Sequence, residues 1–356
     1  MFFLMFVFPR LPLYKALAYL AGVSAGLLLA VGLASAGDTL RVLAWPGYAD
    51  DDLVRVFEKR FNVRVEVTLV STDDALREKL AGGQGGNFDV FAANTAELQG
   101  YIDMDMVAPL DMGNIPLSKT QSPRFRNLAA IPGITRSGQI YAIPYTYSEM
   151  GLIYDRTGVK ETPSTMAALW DPRYRGRVLL YDGSSHNFTL GAMALGIANP
   201  FQLSEEDFKR VTRYLIDLRR NALAFYTLPE ESVELFRHDG GVLLFANYGT
   251  QQVKLLRAAG ADIGYAIPKQ GTLAWLDCWA VTKGSHNKHL AESWINYTLE
   301  KPVSSALTER QGLDNTISAA PTDHDSKLIW LRPVEDPMRR AALWNRIVSG
   351  ELPGKF

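Results

Sequence analysis

Thr39–Asn94 reads TLRVLAWPGYADDDLVRVFEKRFNVRVEVTLVSTDDALREKLAGGQGGNFDVFAAN, and its rhythm decides the fold. TLRVLAW is a short β-branched and apolar run, as strands are, and PGY turns it. In ADDDLVRVFEKRF the apolar residues Leu53, Val54, Val56, Phe57 and Phe61 recur at helical spacing, with Asp50 to Asp52 placed as N-capping carboxylates. VRVEVTLV alternates strictly, STDDALREKLA is a second capped helix, and FDVFAAN is a third strand. This β-α-β-α-β order packs parallel strands through right-handed crossovers, and ligands gather beyond the carboxyl ends of such strands. Gly82 to Gly86 follows a helix and precedes a strand, the reverse of the order a phosphate-binding loop needs, and reads as a connection.

The rhythm continues outward. AELQGYIDMDMVAPLD gives a short helix and a return, and Asn114 to Thr135 is irregular. GQIYAIPYTYSEMGLIYDR holds two strand-like runs around Pro144 and is placed to cross between halves of the molecule. TPSTMAALWDPRYRGR then reads as a capped helix with a turn, VLLYD as a strand, and GSSHNFTLGAMALGIAN as a helix whose first turn carries Ser184, Ser185, His186 and Asn187. SEEDFKRVTRYLIDLRRN is amphipathic, with acids at its start and Arg219 and Arg220 at its end, as the helix dipole favours. ALAFYT, PEESVELFRHDG, GVLLFANYG and TQQVKLLRAAG repeat strand and helix. The tail predicts four helices, two in SHNKHLAESWINYTLEKPVSSALTERQG, one in PTDHDSKLIW and one in DPMRRAALWNRIVSGE. Two α/β halves, with the chain passing between them more than once, are the expected architecture.

The 356 residues are 47% hydrophobic and 21% charged, an ordinary globular composition. Residues 1–36 stand apart: Arg10 and Lys15 precede an uncharged apolar run ending Ala34-Ser35-Ala36, the pattern of a cleaved signal peptide, with an uncleaved membrane anchor as the alternative. Without Arg10 and Lys15 the chain holds 35 basic and 38 acidic residues, a net charge of −3 that argues against nucleic-acid binding. Cys278 is the only cysteine, so neither an internal disulfide nor a lipid-bearing cysteine at the cleavage site is available. A periplasmic protein that is not a lipoprotein fits these features.

The five histidines complete no metal-ligand pattern, and neither a nucleophile elbow nor a Walker loop occurs, so no cofactor is expected. Ser184 or Ser185 beside His186 imitates a hydrolase pair only by adjacency. What remains is a set of aromatic and polar residues at predicted strand ends in both halves: Trp45 and Tyr48, Asn94 and Thr95, Asp182 and His186, Asn247 and Tyr248, Trp275 and Asp277. In KQGTLAWLDCWAVT (269–282) alternation puts Trp275 and Asp277 on one face. A carboxylate beside an indole in an apolar strand needs a cation or hydrogen-bond donors; backbone amides at a strand end would serve, and so would a bound amine.

LRVLAWPGYADDDLVRVFEKRF, GGNFDVFAAN, YAIPYTYSEMGLIYD, TMAALWDPRYRGRVLLYD and LAWLDCWAV occur in an order and spacing that resemble the periplasmic polyamine-binding proteins of ABC importers, the spermidine- and putrescine-binding family. The resemblance implies a two-lobed type II solute-binding fold with hinge crossovers. It places residues 38–147 and a return segment 276–322 in lobe one, and residues 148–275 and C-terminal helices in 323–356 in lobe two. It implies a non-enzymatic, monomeric protein that hands an amine to an inner-membrane ABC permease; an accessory sensor for a membrane receptor is the alternative, and a hydrolase a third. Trp45 and Tyr48 match the family's aromatic clamp, and Trp275 and Asp277 its aromatic and ammonium-binding carboxylate. Gly183 and His186 stand where the family carries acids, and Ala246 where it carries a tryptophan. Those departures leave open a polyamine, a smaller monoamine or an amino-acid-like zwitterion.

Overall fold

The computed structural model describes residues 38–82, 84–85, 87–318 and 327–351. The predicted signal peptide and His324 lie outside the described residues.

Strand β1 (Thr39–Ala44), helix α1 (Asp51–Phe61), β2 (Arg64–Leu69), α2 (Asp73–Leu80), β3 (Val90–Asn94) and α3 (Thr95–Asp103) form the predicted opening. β1 lies between β2 and β3, parallel to both. Thr72 Oγ1 caps α2 by accepting from Ala75 N (3.1 Å), and Asn94 Oδ1 caps α3 by accepting from Ala96 N (3.0 Å) and Glu97 N (3.1 Å). The expected aspartate cap of α1 does not form. Asp50 and Asp52 instead take the Arg310 guanidinium, at 2.9 and 2.8 Å, because a charge-assisted bond outcompetes a neutral amide donor.

After a four-residue helix α4 (Pro123–Arg126) and a hairpin of β4 (Thr135–Arg136) and β5 (Gln139–Ile140), β6 (Ala142–Glu149) ends the first passage. β7 (Leu152–Asp155), β8 (Val178–Tyr181), α5 (Ser184–Ala194), α6 (Glu205–Asn221), β9 (Ala222–Tyr226), α7 (Pro229–His238), β10 (Leu243–Phe245), α8 (Thr250–Ala258) and β11 (Ile263–Ala266) build a second unit. The helix expected in TPSTMAALWDPRYRGR is two 3₁₀ turns, Met166–Trp170 and Pro172–Tyr174, since Pro172 stops any continuation. β12 (Thr272–Val281), α9 (Lys288–Thr298), α10 (Lys301–Gln311), β13 (Asp314–Asn315) and β14 (Leu328–Trp330) return to the first sheet, and α11 (Pro337–Ser349) packs against α5 and α6. In PTDHDSKLIW the described residues Leu328–Trp330 are strand rather than helix, paired in parallel with Thr272–Ala274. Their partner lies more than fifty residues away, beyond what a local pattern reveals.

Two sheets result. The seven-stranded sheet runs β13-β6-β12-β3-β1-β2, with β14 also on β12; the five-stranded sheet runs β11-β7-β10-β8-β9. Each carries a lobe. The chain crosses between them at residues 150–151, 267–271 and 331–336. Buried Arg340 fastens α11 to the second lobe through Thr189 Oγ1 (2.8 Å) and pairs with Glu335 (2.8 Å) in the preceding crossing.

All ten residues of β12 are buried, because β3 and β14 flank one edge, β6 the other, and helices cover the faces. A bulge between Asp277 and Cys278 opposes Thr146 and Pro144 and leaves Tyr145 as the extra residue. Pro144 has no amide hydrogen to give the ladder, and its carbonyl accepts from Gln121 Nε2 (2.6 Å) instead. The irregularity therefore sits beside Asp277.

Candidate functional site

Eight of the ten sequence-predicted residues surround one cavity between the lobes. From the first lobe come Trp45 and Tyr48 after β1, Asn94 at the end of β3, and Trp275 and Asp277 on β12. From the second come His186 in the first turn of α5, and Asn247 and Tyr248 in the turn after β10. The space open to the centre of a water-sized sphere is about 40 Å³, a few times what one water needs.

Thr95 and Asp182 are elsewhere. Thr95 lines a separate cavity with Arg124, Phe125 and Trp330, since the step from the Asn94 cap into the first turn of α3 rotates its side chain away. Asp182 follows Tyr181, and alternation along the strand turns it to the opposite side, where it accepts from Trp344 Nε1 at 2.6 Å. Sequence reasoning missed Asp73, Tyr181 and Gln251, which do line the cavity. Asp73 is hidden among the acids that open α2, and Tyr181 is the strand-end aromatic one residue before Asp182.

At the Asp277 end, the Tyr48 hydroxyl donates to Oδ2 at 2.6 Å, and among the described residues it is the carboxylate's only hydrogen-bond donor. Burial pushes the Asp277 carboxyl up to about 7; the Tyr48 bond opposes the rise, the charge of Asp73 adds to it, and His186 opposes it. The indoles beside it are pinned: Trp45 Nε1 donates to Ala92 O (3.1 Å) and Trp275 Nε1 to Asn247 O (2.8 Å), the latter joining the lobes.

The other end is already paired. His186 Nδ1 lies 2.7 Å from Asn247 Oδ1 and Nε2 3.2 Å from Asp73 Oδ2. Burial acts to lower the His186 pKa, but the hydrogen bond and charge of Asp73 prevail and hold it above the usual histidine range. Asp73 is steadied by Asn94 Nδ2 (3.1 Å). Nearby, Arg77 is shared by Asp74 (2.7 Å) and Glu97 (2.9 Å). Tyr181 and Tyr248 reach across the cleft: the Tyr181 hydroxyl donates to Ser71 O (2.9 Å), while that of Tyr248 donates to Thr227 O (2.6 Å) and lies 3.1 Å from Ser71 O. Gly183 and Ala246 do not line the cavity; a Cβ at Gly183 would overlap the Tyr181 ring.

Both imidazole nitrogens of His186 are thus engaged away from Ser184 and Ser185. Ser184 donates to Asp74 at 3.1 Å.

The family described as "Bacterial extracellular solute-binding protein" matches residues 52–328. A spermidine/putrescine-binding periplasmic protein of Haemophilus influenzae is 25% identical over 277 residues, 77% of this chain and 74% of that protein. The putrescine-binding periplasmic protein PotF of Escherichia coli is 25% identical over 370 residues, 94% of this chain and 98% of its own. The fold is shared with a solved putative spermidine/putrescine ABC transporter from Listeria monocytogenes, at TM-score 0.75 and 21% identity, covering 88% of this chain and 98% of that one. With two lobes around one cleft and a match spanning most of its length, the chain belongs to the bacterial extracellular solute-binding proteins.

Proposed function

We propose that this protein captures a small amine, of the polyamine class or related to it, in the interlobe cleft and delivers it to an inner-membrane ABC permease. One observation carries the reading. Asp277 is a buried carboxylate that lines the cavity together with the indoles of Trp45 and Trp275, with a single hydroxyl donor among the described residues. Such a group is stable as an anion only when an ammonium meets it, and the flanking aromatic faces suit methylenes and a cation. The names of the relatives agree: they bind spermidine, putrescine, agmatine or cadaverine.

On this reading the protein works in the periplasm after removal of residues 1–36, without turnover and as a monomer, and the engaged nitrogens of His186 argue against a serine hydrolase. The lobes then divide at the three crossings rather than at fixed residue blocks: residues 39–149, 272–318 and 328–330 in the first, 152–266 and 337–349 in the second. Closure of the lobes over the amine would present one surface to the permease.

Calorimetric titration of the mature protein with putrescine, spermidine and monoamines, repeated for Asp277→Asn, tests the proposal. Wild-type binding that falls at least a hundredfold in the variant is expected. Equal affinity in the two proteins would remove Asp277 from the site, and absence of heat with every amine would remove the amine.

A further inference from the structure

The cavity's two carboxylates are unlike each other in what they already hold. Asp73 has Nε2 of His186 on one oxygen and Nδ2 of Asn94 on the other. Asp277 has only Tyr48 among the described residues. Nδ1 of His186 lies 2.7 Å from Asn247 Oδ1 and Nε2 3.2 Å from the Asp73 carboxylate, an arrangement that favours a ring protonated on both nitrogens, an imidazolium. Building on the amine-binding reading, we infer that His186 is a built-in substitute for one ammonium group, so that the site selects an amine with a single positive charge and an uncharged far end.

Charge bookkeeping supports this. With Asp277 ionised by a bound ammonium and His186 protonated, the residues lining the cavity carry one negative charge each on Asp73 and Asp277 and one positive on His186, leaving −1. Behind them Asp74 and Glu97 share the Arg77 guanidinium, so each already has a cationic partner, and Glu230 acts on Tyr248 from the second lobe. The Tyr181 and Tyr248 hydroxyls are spent on carbonyls. Trp45, Pro46, Pro229 and Leu313 offer apolar surface that accepts a hydrocarbon segment. A second ammonium in this space would meet the imidazolium, and its desolvation would go unpaired unless His186 lost its proton and released Asp73. Nor is an acid at position 183 accommodated, since its Cβ would overlap Tyr181.

N-acetylputrescine and putrescine share the four-carbon diamine spine and differ in one charge, the first being longer by an acetyl group, so with n-butylamine as the shorter singly charged control they form the decisive set. Titrating the mature protein at pH 7 with these two, n-butylamine, spermidine and 4-aminobutanoate should give at least tenfold tighter binding of N-acetylputrescine than of putrescine, with spermidine and 4-aminobutanoate weaker still. His186→Glu should reverse the first order. His186→Gln, which keeps a polar side chain without the charge, should narrow the gap, and a thermal melt verifies that each variant folds. Nitrogen-15 NMR of labelled histidine should show an imidazolium at His186 at pH 7. Putrescine binding as tight as N-acetylputrescine, still abolished by Asp277→Asn, would overturn the single-charge inference and leave the amine reading standing. Tightest binding of 4-aminobutanoate, or a neutral His186 in the free protein, would overturn it as well. No binding of any amine would sink both readings together.

Discussion

Asp89 and Asp277 are both buried aspartates of the first lobe, at 1% and 6% exposure, and they are held in opposite ways. Asp89 accepts from Arg41 N (2.9 Å), Ser285 Oγ (3.0 Å) and His286 N (2.8 Å), with the Arg41 guanidinium 3.7 Å away. Glu292 on α9 is equally well supplied by Asp111 N (2.8 Å), Asn114 Nδ2 (2.7 Å) and Lys288 (2.6 Å). Among the described residues Asp277 has one hydroxyl. An ionised carboxylate offers about four acceptor sites. A carboxylate that serves the fold has those sites filled by the fold; one left largely open inside a cleft awaits a partner from outside.

The sharpest way to break this comparison is to remove both charges. Asp89→Ala strands three donors and should lower stability by about 3 kcal/mol in denaturant titration. Asp277→Asn, which relieves a poorly solvated anion, should leave the ligand-free protein as stable or more so. Equal destabilisation by the two changes would make Asp277 a structural residue like Asp89.

The pH profile sharpens the same contrast. The folded Asp277 carboxyl is raised from 3.8 to about 7 and Glu97 from 4.5 to about 7, while His186 is held above 6.5. A raised folded value means more protons bound in the native state than in the unfolded one. Each contribution is therefore complete below the unfolded pKa and lost as pH climbs through the folded one. For Asp277 alone the slope reaches at most about 1.4 kcal/mol per pH unit between pH 4 and 7. The melting temperature of the ligand-free protein should fall from pH 5 to pH 8, and less steeply in Asp277→Asn. An amine should raise it more at pH 8, where Asp277 is ionised. A flat wild-type profile would mean that Asp277 is already ionised at pH 5.

Tyr48→Phe removes the one donor and should weaken amine binding roughly fivefold to tenfold, about 1 kcal/mol, with the pH midpoint for binding moving upward. Unchanged affinity and midpoint would show that the hydroxyl does not support the ionised form. The smallest effect belongs to Asp182→Asn: its contact is with Trp344 on α11, so affinity should stay within about twofold and stability within about 1 kcal/mol. A tenfold loss of binding would bring Asp182 back into the site.

How much was legible can be read from neighbouring residues. Asn94 and Tyr181 line the cavity while Thr95 and Asp182, one position on, do not. Strand ends located most of the cavity lining, as parallel strands lead one to expect, but Trp275 and Asp277 lie inside β12, which runs antiparallel to β3 and β6. Which of two adjacent side chains points into the cleft depends on how a strand passes into its helix. Asp73 shows another limit: in STDDALREKL it reads as one of several acids at a helix start, and only His186, more than a hundred residues later, makes it part of a site.

The alternation of strand and helix, the two α/β halves, and the aromatic and acidic character of the predicted strand ends are legible in the sequence, since backbone period and side-chain type are local properties. The tertiary structure alone decided that LIW is a strand, that Tyr145 bulges beside Asp277, and that His186 occupies Asp73 while Asp277 keeps its open side. These outcomes rest on contacts between residues far apart in the chain, such as Tyr48 with Asp277 and Tyr181 with Ser71. Pairings of that range form only when distant strands join one sheet or the two lobes meet, and no window of sequence contains both partners.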